Sequence, residues 1–322
     1  MKRNEPLRAP APPGLFCVGS WQAGALRVGL GFATLWGHVT REGKAMPGKL
    51  LVVGTPIGNL GDMTPRALAA LEAADAVLAE DTRVTGKLLH ALGVEARLER
   101  CDENVIAGRA AGLVQRMEAG ETLAFCSDAG MPGVSDPGLV LVDAAREAGV
   151  PVEVLPGACA VTTALVAAGF NGTAFYFGGF LPRKQVARSK LLQSLKALDA
   201  ALVFYESPHR VAASVESIAA EYGKRPVALC RELTKLHEEV LRLPADELAA
   251  ELAGREAIKG EIALVIAPPS PEEQQVDLQA EDVQERIRRE LEGGTSKSAL
   301  AKQLARELGI SKNQVYDLIH SL

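Results

Sequence analysis

From Lys49 onward the chain keeps one rhythm: a short apolar run, a turn rich in Gly, Pro, Asp or Thr, then an amphipathic helical run. The apolar runs are "KLLVVG", "AVLAED", "TLAFCSD" and "PVEVLPG", spread over residues 49–157. Each is short and bounded by turn residues, and so reads as a strand. The stretches between them read as helices. "TPRALAALEAA" puts Thr64 at the N-cap, Pro65 at the first helical position, and Ala67, Leu68 and Leu71 on one face. "TGKLLHALG" and "GRAAGLVQRMEAG" stop at Gly93 and Gly120. Strand–helix alternation needs crossover connections, which implies a largely parallel sheet with helices on both faces. The fold class is therefore α/β.

The rhythm breaks at "GFNGTAFYFGGFLPRK", where Gly and aromatic residues cluster, and a domain boundary is expected near residue 171. An N-terminal α/β domain then covers residues 46–171 and a second, more mixed α/β domain residues 172–268. The second carries strands "ALVFYES", "PVALCREL", "HEEVLRLP" and "EIALVIAPP" and the helix "HRVAASVESIAAEYG". Residues 269–280 are polar and Pro-containing, as a linker is. Residues 281–322 change class: Val283, Ile287 and Leu291, then Leu300, Leu304 and Leu308, then Val315, Leu318, Ile319 and Leu322 mark three short helices. Gly309 makes a turn and Ser311 a cap between the last two, a pattern like a helix-turn-helix. Residues 1–45 hold both Trp of the chain, but Arg27 and scattered Gly interrupt their apolar run. They fit neither a signal peptide nor a membrane span and are expected to be a non-core extension.

Charge and cysteine usage narrow the function. With a net charge of −5 there is no global basic field, so a polyanion would have to be met by local patches. The five Cys show no C-x-x-C spacing, which argues for reduced thiols in the cytoplasm and against a disulfide framework or a zinc site. No metal is expected.

Several stretches carry chemistry. "VGTPIGNLGD" has glycines at a strand end but neither G-x-G-x-x-G nor a Walker Lys, so it does not read as a phosphate loop. "AEDTRVTGKLL" sets Glu80, Asp81, Thr82 and Arg83 beyond a strand end, where open α/β sheets hold ligands. A solvated loop capped by Asp81 or Thr82 fits those residues equally well. "SDAGMPGVSDPG", Ser127 to Gly138, is twelve residues of continuous turn chemistry. A plain strand-to-helix connector needs only ~2–6 residues. Asp128 could accept hydrogen bonds from a ligand, Gly130 and Gly133 allow close backbone approach, and Ser135, Asp136 and Pro137 read as a helix start. "VLPGACAVTTALVAAG" repeats the arrangement with small residues that leave room for a bulky group. "YESPHR" pairs His209 with Glu206, but a His beside Pro at a helix start is an ordinary surface residue, and no H-E-x-x-H or G-x-S-x-G occurs. "FLPRKQVARSK" carries Arg183, Lys184, Arg188 and Lys190 with no acid between them, next to Phe177 and Phe180. Basic and aromatic residues together suit RNA phosphates and bases, and a solvated helix start is the alternative.

In order along the chain, "TPIGNLGDMTPRAL", "AEDTRVTGKLL", "SDAGMPGVSDPG", "LPGACAVTTALVAAG", "GGFLPRK", "VFYESPHR", "CRELTK" and "KGEIAL" resemble the bacterial RsmI family. These are tetrapyrrole-methylase-like (class III) S-adenosylmethionine enzymes acting on 16S rRNA. The resemblance covers about residues 50–266, and the C-terminal helices are also similar. It implies two α/β domains of the tetrapyrrole methylase type with S-adenosylmethionine in the cleft between them, a homodimer, and no membrane. It implies methylation of the ribose 2′-hydroxyl of cytidine 1402, with the 30S subunit as the expected particle. By position, the cofactor contacts would fall on Pro56, Asp128, Met131, Ala158, Cys159, Tyr205, Leu233 and Gly260. Two positions depart from the family pattern: Met131 stands where Thr is usual, and Cys101 where His is frequent.

Methyl transfer to a hydroxyl needs alignment, a proton acceptor and exclusion of water. Glu80, Asp102 and Glu206 are the candidate catalytic carboxylates, with Asn104 and Arg231 as candidate nucleotide-positioning residues. Two rivals stand beside this reading. A tetrapyrrole or corrinoid-precursor methyltransferase would share the fold but has no use for the basic patch or the C-terminal helices. A DNA-binding regulator would use those helices as its reader and the α/β body as a ligand sensor.

Overall fold

The computed structural model describes residues 48–172, 174–270, 273, 281–308 and 312–321. The predicted extension at residues 1–45 lies outside the described residues, as do most of the linker and the turn at Gly309 and Ser311.

The first sheet is made of β1 (Leu50–Val53), β2 (Ala76–Ala79), β3 (Leu98–Arg100), β4 (Leu123–Cys126) and β5 (Val152–Leu155). They lie in the order β3-β2-β4-β1-β5 and every pairing is parallel. β1, β2 and β4 are buried along their whole length, as the near-continuous apolar runs require when helices cover both faces. Those helices are α1 (Pro65–Ala73), α2 (Thr82–Leu92), α3 (Glu103–Glu118) and α4 (Gly138–Glu147). α1 starts as its residues dictate: Thr64 caps the N–H of Ala67 at 3.1 Å, Pro65 opens the helix, and Ala67 and Leu71 are buried. β3 was not legible, because "LER" is too short and too polar at this sheet edge to stand out.

The second sheet is made of β6 (Phe175–Phe180), β7 (Ala201–Glu206), β8 (Pro226–Arg231), β9 (Glu239–Pro244) and β10 (Ile262–Ile266). Its order is β6-β7-β10-β8-β9, with β6 and β7 parallel and the other pairings antiparallel. One face packs on α6 (Gln185–Leu195), α7 (Val211–Tyr222) and α8 (Ala245–Ala253) around Phe204, Leu229 and Leu264. The other face is covered by α5 (Ala160–Ala168), whose Val161, Ala164 and Ala168 meet Val203, Ala228 and Val265. α5 precedes the expected boundary at residue 171, yet its apolar side is buried on the second sheet. It follows a strand of the first sheet directly, so it ties the two sheets together.

At the C-terminus, α9 (Glu281–Glu292), α10 (Lys297–Leu308) and α11 (Lys312–Ser321) share a small core of Ile287, Leu300, Leu304, Val315, Leu318 and Ile319. Val283 and Leu291, expected from the same spacing, pack against it, while the expected Leu308 and Leu322 lie outside the described side chains.

Candidate active site

The loops after β1, β2, β4 and β5 all emerge at the carboxyl end of the parallel sheet, where ligands of open α/β sheets bind. They are locked to one another by backbone contacts. The Thr55 N–H donates to Gly130 O at 2.9 Å, and its buried hydroxyl reaches the same carbonyl at 3.3 Å. Gly54 lies against Gly157 so closely that a Cβ on Gly54 would come within 2.6 Å of the Gly157 Cα. Asp128 Oδ1 accepts the Asp81 N–H at 2.9 Å, joining the β4 loop to the end of β2. The twelve-residue loop divides as its composition implies. Gly130 adopts φ +84 and Gly133 φ +86, the left-handed region glycine tolerates. The Asp136 carboxylate accepts the N–H of both Gly133 and Gly138 at 2.9 Å, folding the second half of the loop onto the start of α4. Pro137 is the N-cap and Gly138 the first helical residue.

Facing these loops, the ends of β6, β7, β8 and β10 and the start of α5 close a cavity of about 520 Å³. Asp128, Met131, Cys159, Tyr205, Leu233 and Gly260 all line it, whereas Pro56 and Ala158 lie outside its lining. The lining also takes in Asp136, Phe180, Cys230 and Glu261, which come from segments far apart in the chain and carry no joint signal in the sequence. Leu233 sits between two non-glycine residues in the left-handed region, Glu232 at φ 52 and Thr234 at φ 65. Such conformations cost on the order of 1–3 kcal/mol each and persist only where surroundings impose them. Here the Glu232 carboxylate accepts the Glu261 N–H and a Lys235 ammonium, both at 2.9 Å, and Glu238 holds the Thr234 N–H at 2.6 Å. Gly260 is left-handed too, and a Cβ there would strike Glu232 at 2.5 Å.

The cavity is acidic. Glu80, Asp128, Asp136, Glu206 and Glu261 line it, and no Lys or Arg stands among the described lining residues. Burial, then the like charges of Asp128 and Asp136, hold the Glu80 carboxyl above its ordinary range, partly offset by a hydrogen bond from the Asp128 backbone. Burial pushes the Tyr205 phenol up to about 12, so it stays protonated at neutral pH. A phosphate would find no counter-charge here. A ligand with a positive centre would.

The three candidate catalytic carboxylates fare differently. Glu80 faces the cavity and takes no part in the ion pair of its neighbours Asp81 and Arg83, which bind each other. Asp102 lies outside the lining, caps the Asn104 N–H at 3.0 Å and pairs with Arg100, which holds its carboxyl below the usual range. Glu206 reaches the cavity wall, but its side chain is fully buried and taken up by Arg210, the Ser214 hydroxyl and the Ser207 N–H. Of the three expected proton acceptors, Asp102 here caps a helix and Glu206 is a buried anion held by its own donors, which leaves Glu80 as the candidate whose carboxyl faces the cavity. Asn104 is exposed on α3, and Arg231 is engaged by Glu239 at 2.8 Å. Cys101 is buried in the first core, and burial raises its thiol. Asp81 caps α2, as one reading of "AEDTRVTGKLL" had it, while Glu80 beside it lines the cavity.

The basic stretch needs one correction. Arg183, Lys184 and Lys190 are exposed, but Arg188 is 6% exposed. Its guanidinium donates to Ser217 Oγ at 2.9 Å, Ala213 O at 3.1 Å, Pro182 O at 3.3 Å and Arg183 O at 3.4 Å. It cannot meet RNA. Among the described residues no cluster of His, Cys, Asp and Glu could hold a metal ion, and no helix is long and apolar enough to cross a membrane.

Two sheets, one parallel and one mixed, with an acidic cleft where their strand ends meet, define a methylase-type α/β protein. Residues 49–249 match the family of tetrapyrrole (corrin/porphyrin) methylases. The solved uroporphyrin-III-C-methyltransferase of Thermus thermophilus is 26% identical, with a TM-score of 0.50 over 68% of this chain and 94% of that one. A solved diphthine synthase shares the fold at a TM-score of 0.53 and 16% identity, over 68% of this chain and 89% of that one. Closer in sequence are proteins named ribosomal RNA small subunit methyltransferase I. That of Escherichia coli O157:H7 is 42% identical, over 84% of this chain and 93% of its own length. That of Micromonospora olivasterospora is 40% identical, over 86% and 88%. That of Bacillus subtilis is 38% identical, over 87% and 96%. The chain belongs to this small-subunit rRNA methyltransferase I family, within the tetrapyrrole methylases.

Proposed function

We propose that the protein is an S-adenosylmethionine-dependent methyltransferase acting on the ribose 2′-hydroxyl of cytidine 1402 in 16S rRNA. Identity near 40% along most of the chain to proteins named for small-subunit rRNA methylation carries the reading. The rival tetrapyrrole-precursor substrate has only the more distant likeness in its favour. The proposal extends to action in the cytoplasm, on the 30S particle, by a homodimer.

The residues present fit the donor. A cavity of about 520 Å³ is of the size that takes a small molecule, and its Glu80, Asp128 and Asp136 complement a sulfonium and an ammonium. Asp128, the backbone around Met131, Cys159, Tyr205, Leu233 and Gly260 would hold it. When bound, S-adenosylmethionine supplies a methyl group on a positively charged sulfur for in-line displacement. The interlocked loops around Thr55, Gly54 and Gly157 keep the walls rigid, so that alignment is set before the acceptor arrives. Glu80 receives the proton that the attacking hydroxyl gives up, and its raised affinity for protons suits that task at neutral pH. Arg183, Lys184 and Lys190 supply positive charge for the RNA phosphates outside the acidic cleft.

The test is to incubate 30S particles lacking the modification with labelled S-adenosylmethionine and to map the label. Label on the ribose of cytidine 1402 is expected. Label on a base, at another nucleotide, or only on a porphyrinoid would overturn the reading.

A further inference from the structure

β6 is an edge strand, and its pairing with β7 is irregular. Phe177 pairs with Val203, but Phe180 rather than residue 179 pairs with Tyr205, so β6 holds one residue more than its partner. That extra residue is a bulge, and a bulge re-aims the side chain that follows it. Without it, residue 179 would fall beside Tyr205 and Phe180 would point to the opposite face. Glycine makes the bulge possible twice over. A Cβ on Gly178 would lie 2.2 Å from the Phe204 ring, and Gly179 sits at φ +64.

The outcome is a phenyl ring at the cavity mouth. Phe180 lines the cavity yet is 56% exposed, and it stands edge-on to Tyr205 at 5.7 Å between centroids. The segment after it is pinned on both sides. Leu181 is buried, and the buried Arg188 guanidinium holds the carbonyls of Pro182 and Arg183. The exposed side chains of Arg183 and Lys184 therefore issue from a fixed backbone a few residues from the ring. A planar apolar face beside two cations that issue from a held backbone matches one ligand chemistry, a nucleobase with its flanking phosphates.

We infer that Phe180 is the stacking platform for the base of the acceptor nucleotide. Arg183 and Lys184 hold the adjoining phosphates, so that the ribose between base and phosphate is delivered at the cavity mouth. This inference rests on the rRNA reading above and names its acceptor subsite. Arg188 is a positioning residue for that subsite and touches no substrate.

The experiment compares full-length wild type with Phe180→Ala, Phe180→Leu and Phe180→Trp, using 30S particles lacking the modification. Removal of one stacking aromatic is expected to lower kcat/KM for the particle about 10–100-fold, mainly through KM. Phe180→Trp should stay within about 3-fold of wild type, and Phe180→Leu should behave like Ala, because a leucine is apolar but has no flat face. The calorimetric Kd for S-adenosylmethionine should change far less than kcat/KM for the particle in all three. An active wild type with Phe180→Ala equally active overturns this inference alone. So does a donor Kd that weakens as much as kcat/KM, which would make Phe180 part of the donor pocket. A change of sedimentation with Phe180→Ala would instead mark the ring as a contact between two copies, and overturns it too. An inactive wild type overturns the rRNA reading and this inference with it.

Discussion

Glu206→Ala separates a structural carboxylate from a catalytic one. The Glu206 side chain is fully enclosed at the end of β7 and meets three donors: the Arg210 guanidinium, the Ser214 hydroxyl and the Ser207 N–H at 2.7 Å. Removing one partner of a buried ion pair leaves an unpaired charge in a poorly solvated place and costs about 3–5 kcal/mol. Arg210 keeps 26% of its side chain exposed and can recover some hydration, so the lower part of that range applies to the pair. The stranded Ser214 hydroxyl, completely buried, adds about 1 kcal/mol. A total loss of about 4–5 kcal/mol lowers Tm by about 6–8 °C, because an unfolding entropy of about 2.1 cal/mol/K per residue over 322 residues gives about 1.5 °C per kcal/mol. Glu206→Gln keeps the shape and loses the charge, and should fall between wild type and Ala. Circular dichroism melts give the stability, and methylation assays well below the lowered Tm give the turnover of the folded enzyme. The expected result is a large fall in Tm with most of the turnover retained by the folded fraction. A wild-type Tm with turnover lost would mean that Glu206 works on the substrate, and the structural argument would be refuted.

Four other variants have outcomes that follow from the structure. Glu80→Gln should abolish the acid limb of the pH–rate profile. In wild type that limb should lie above the ~4.3 of an ordinary Glu, because the raised carboxyl ionises only at higher pH. The same raise disfavours the ionised form in the folded state, so Glu80→Gln should stabilise the protein at neutral pH, with the gain vanishing once the pH falls below the ordinary Glu range. Asp128→Ala removes both an acidic wall group and the acceptor of the Asp81 N–H, and titration calorimetry should show loss of S-adenosylmethionine binding. Unchanged affinity would remove Asp128 from the donor site. The double change Arg183→Ala with Lys184→Ala should raise KM for the particle and flatten its salt dependence with Tm unchanged. Arg188→Ala should lower Tm, since it removes four hydrogen bonds of a buried guanidinium, to Ser217 Oγ and to three carbonyls.

Much of the architecture was legible because its signals are local. α1 is written in Thr64, Pro65, Ala67 and Leu71, and each has the role its position dictates. The loop from Ser127 to Gly138 announced itself by being too long and too rich in turn residues for a connector, and it forms the cavity wall. β3 escaped because three residues, two of them charged, show no apolar pattern. α2 and α3 begin earlier than their apolar stretches because Asp81 and Asp102 cap them upstream. Those caps also explain why Asp102 looked like a free carboxylate: in sequence, a helix cap and a catalytic acid are the same letter.

By itself the sequence determined the strand–helix order, the parallel character of the first sheet and the side of it on which ligand-facing loops gather. Periodicity and turn chemistry act over a few residues, and these features need no more. Tertiary structure alone decided which polar groups stay available. Glu80, Asp102 and Glu206 were equivalent as residues, and only the path of the chain from β7 into α7, which folds Arg210 and Ser214 back onto Glu206, removed that one from solvent. Arg188 looked like its neighbours Arg183 and Lys184, until one helical turn carried it under Ser217 and Ala213. Phe180 reached the cavity mouth through a one-residue bulge that depends on Phe204, a residue on another strand. Availability of a side chain is set by what packs against it, and that is a property of contacts between segments that the linear order does not contain.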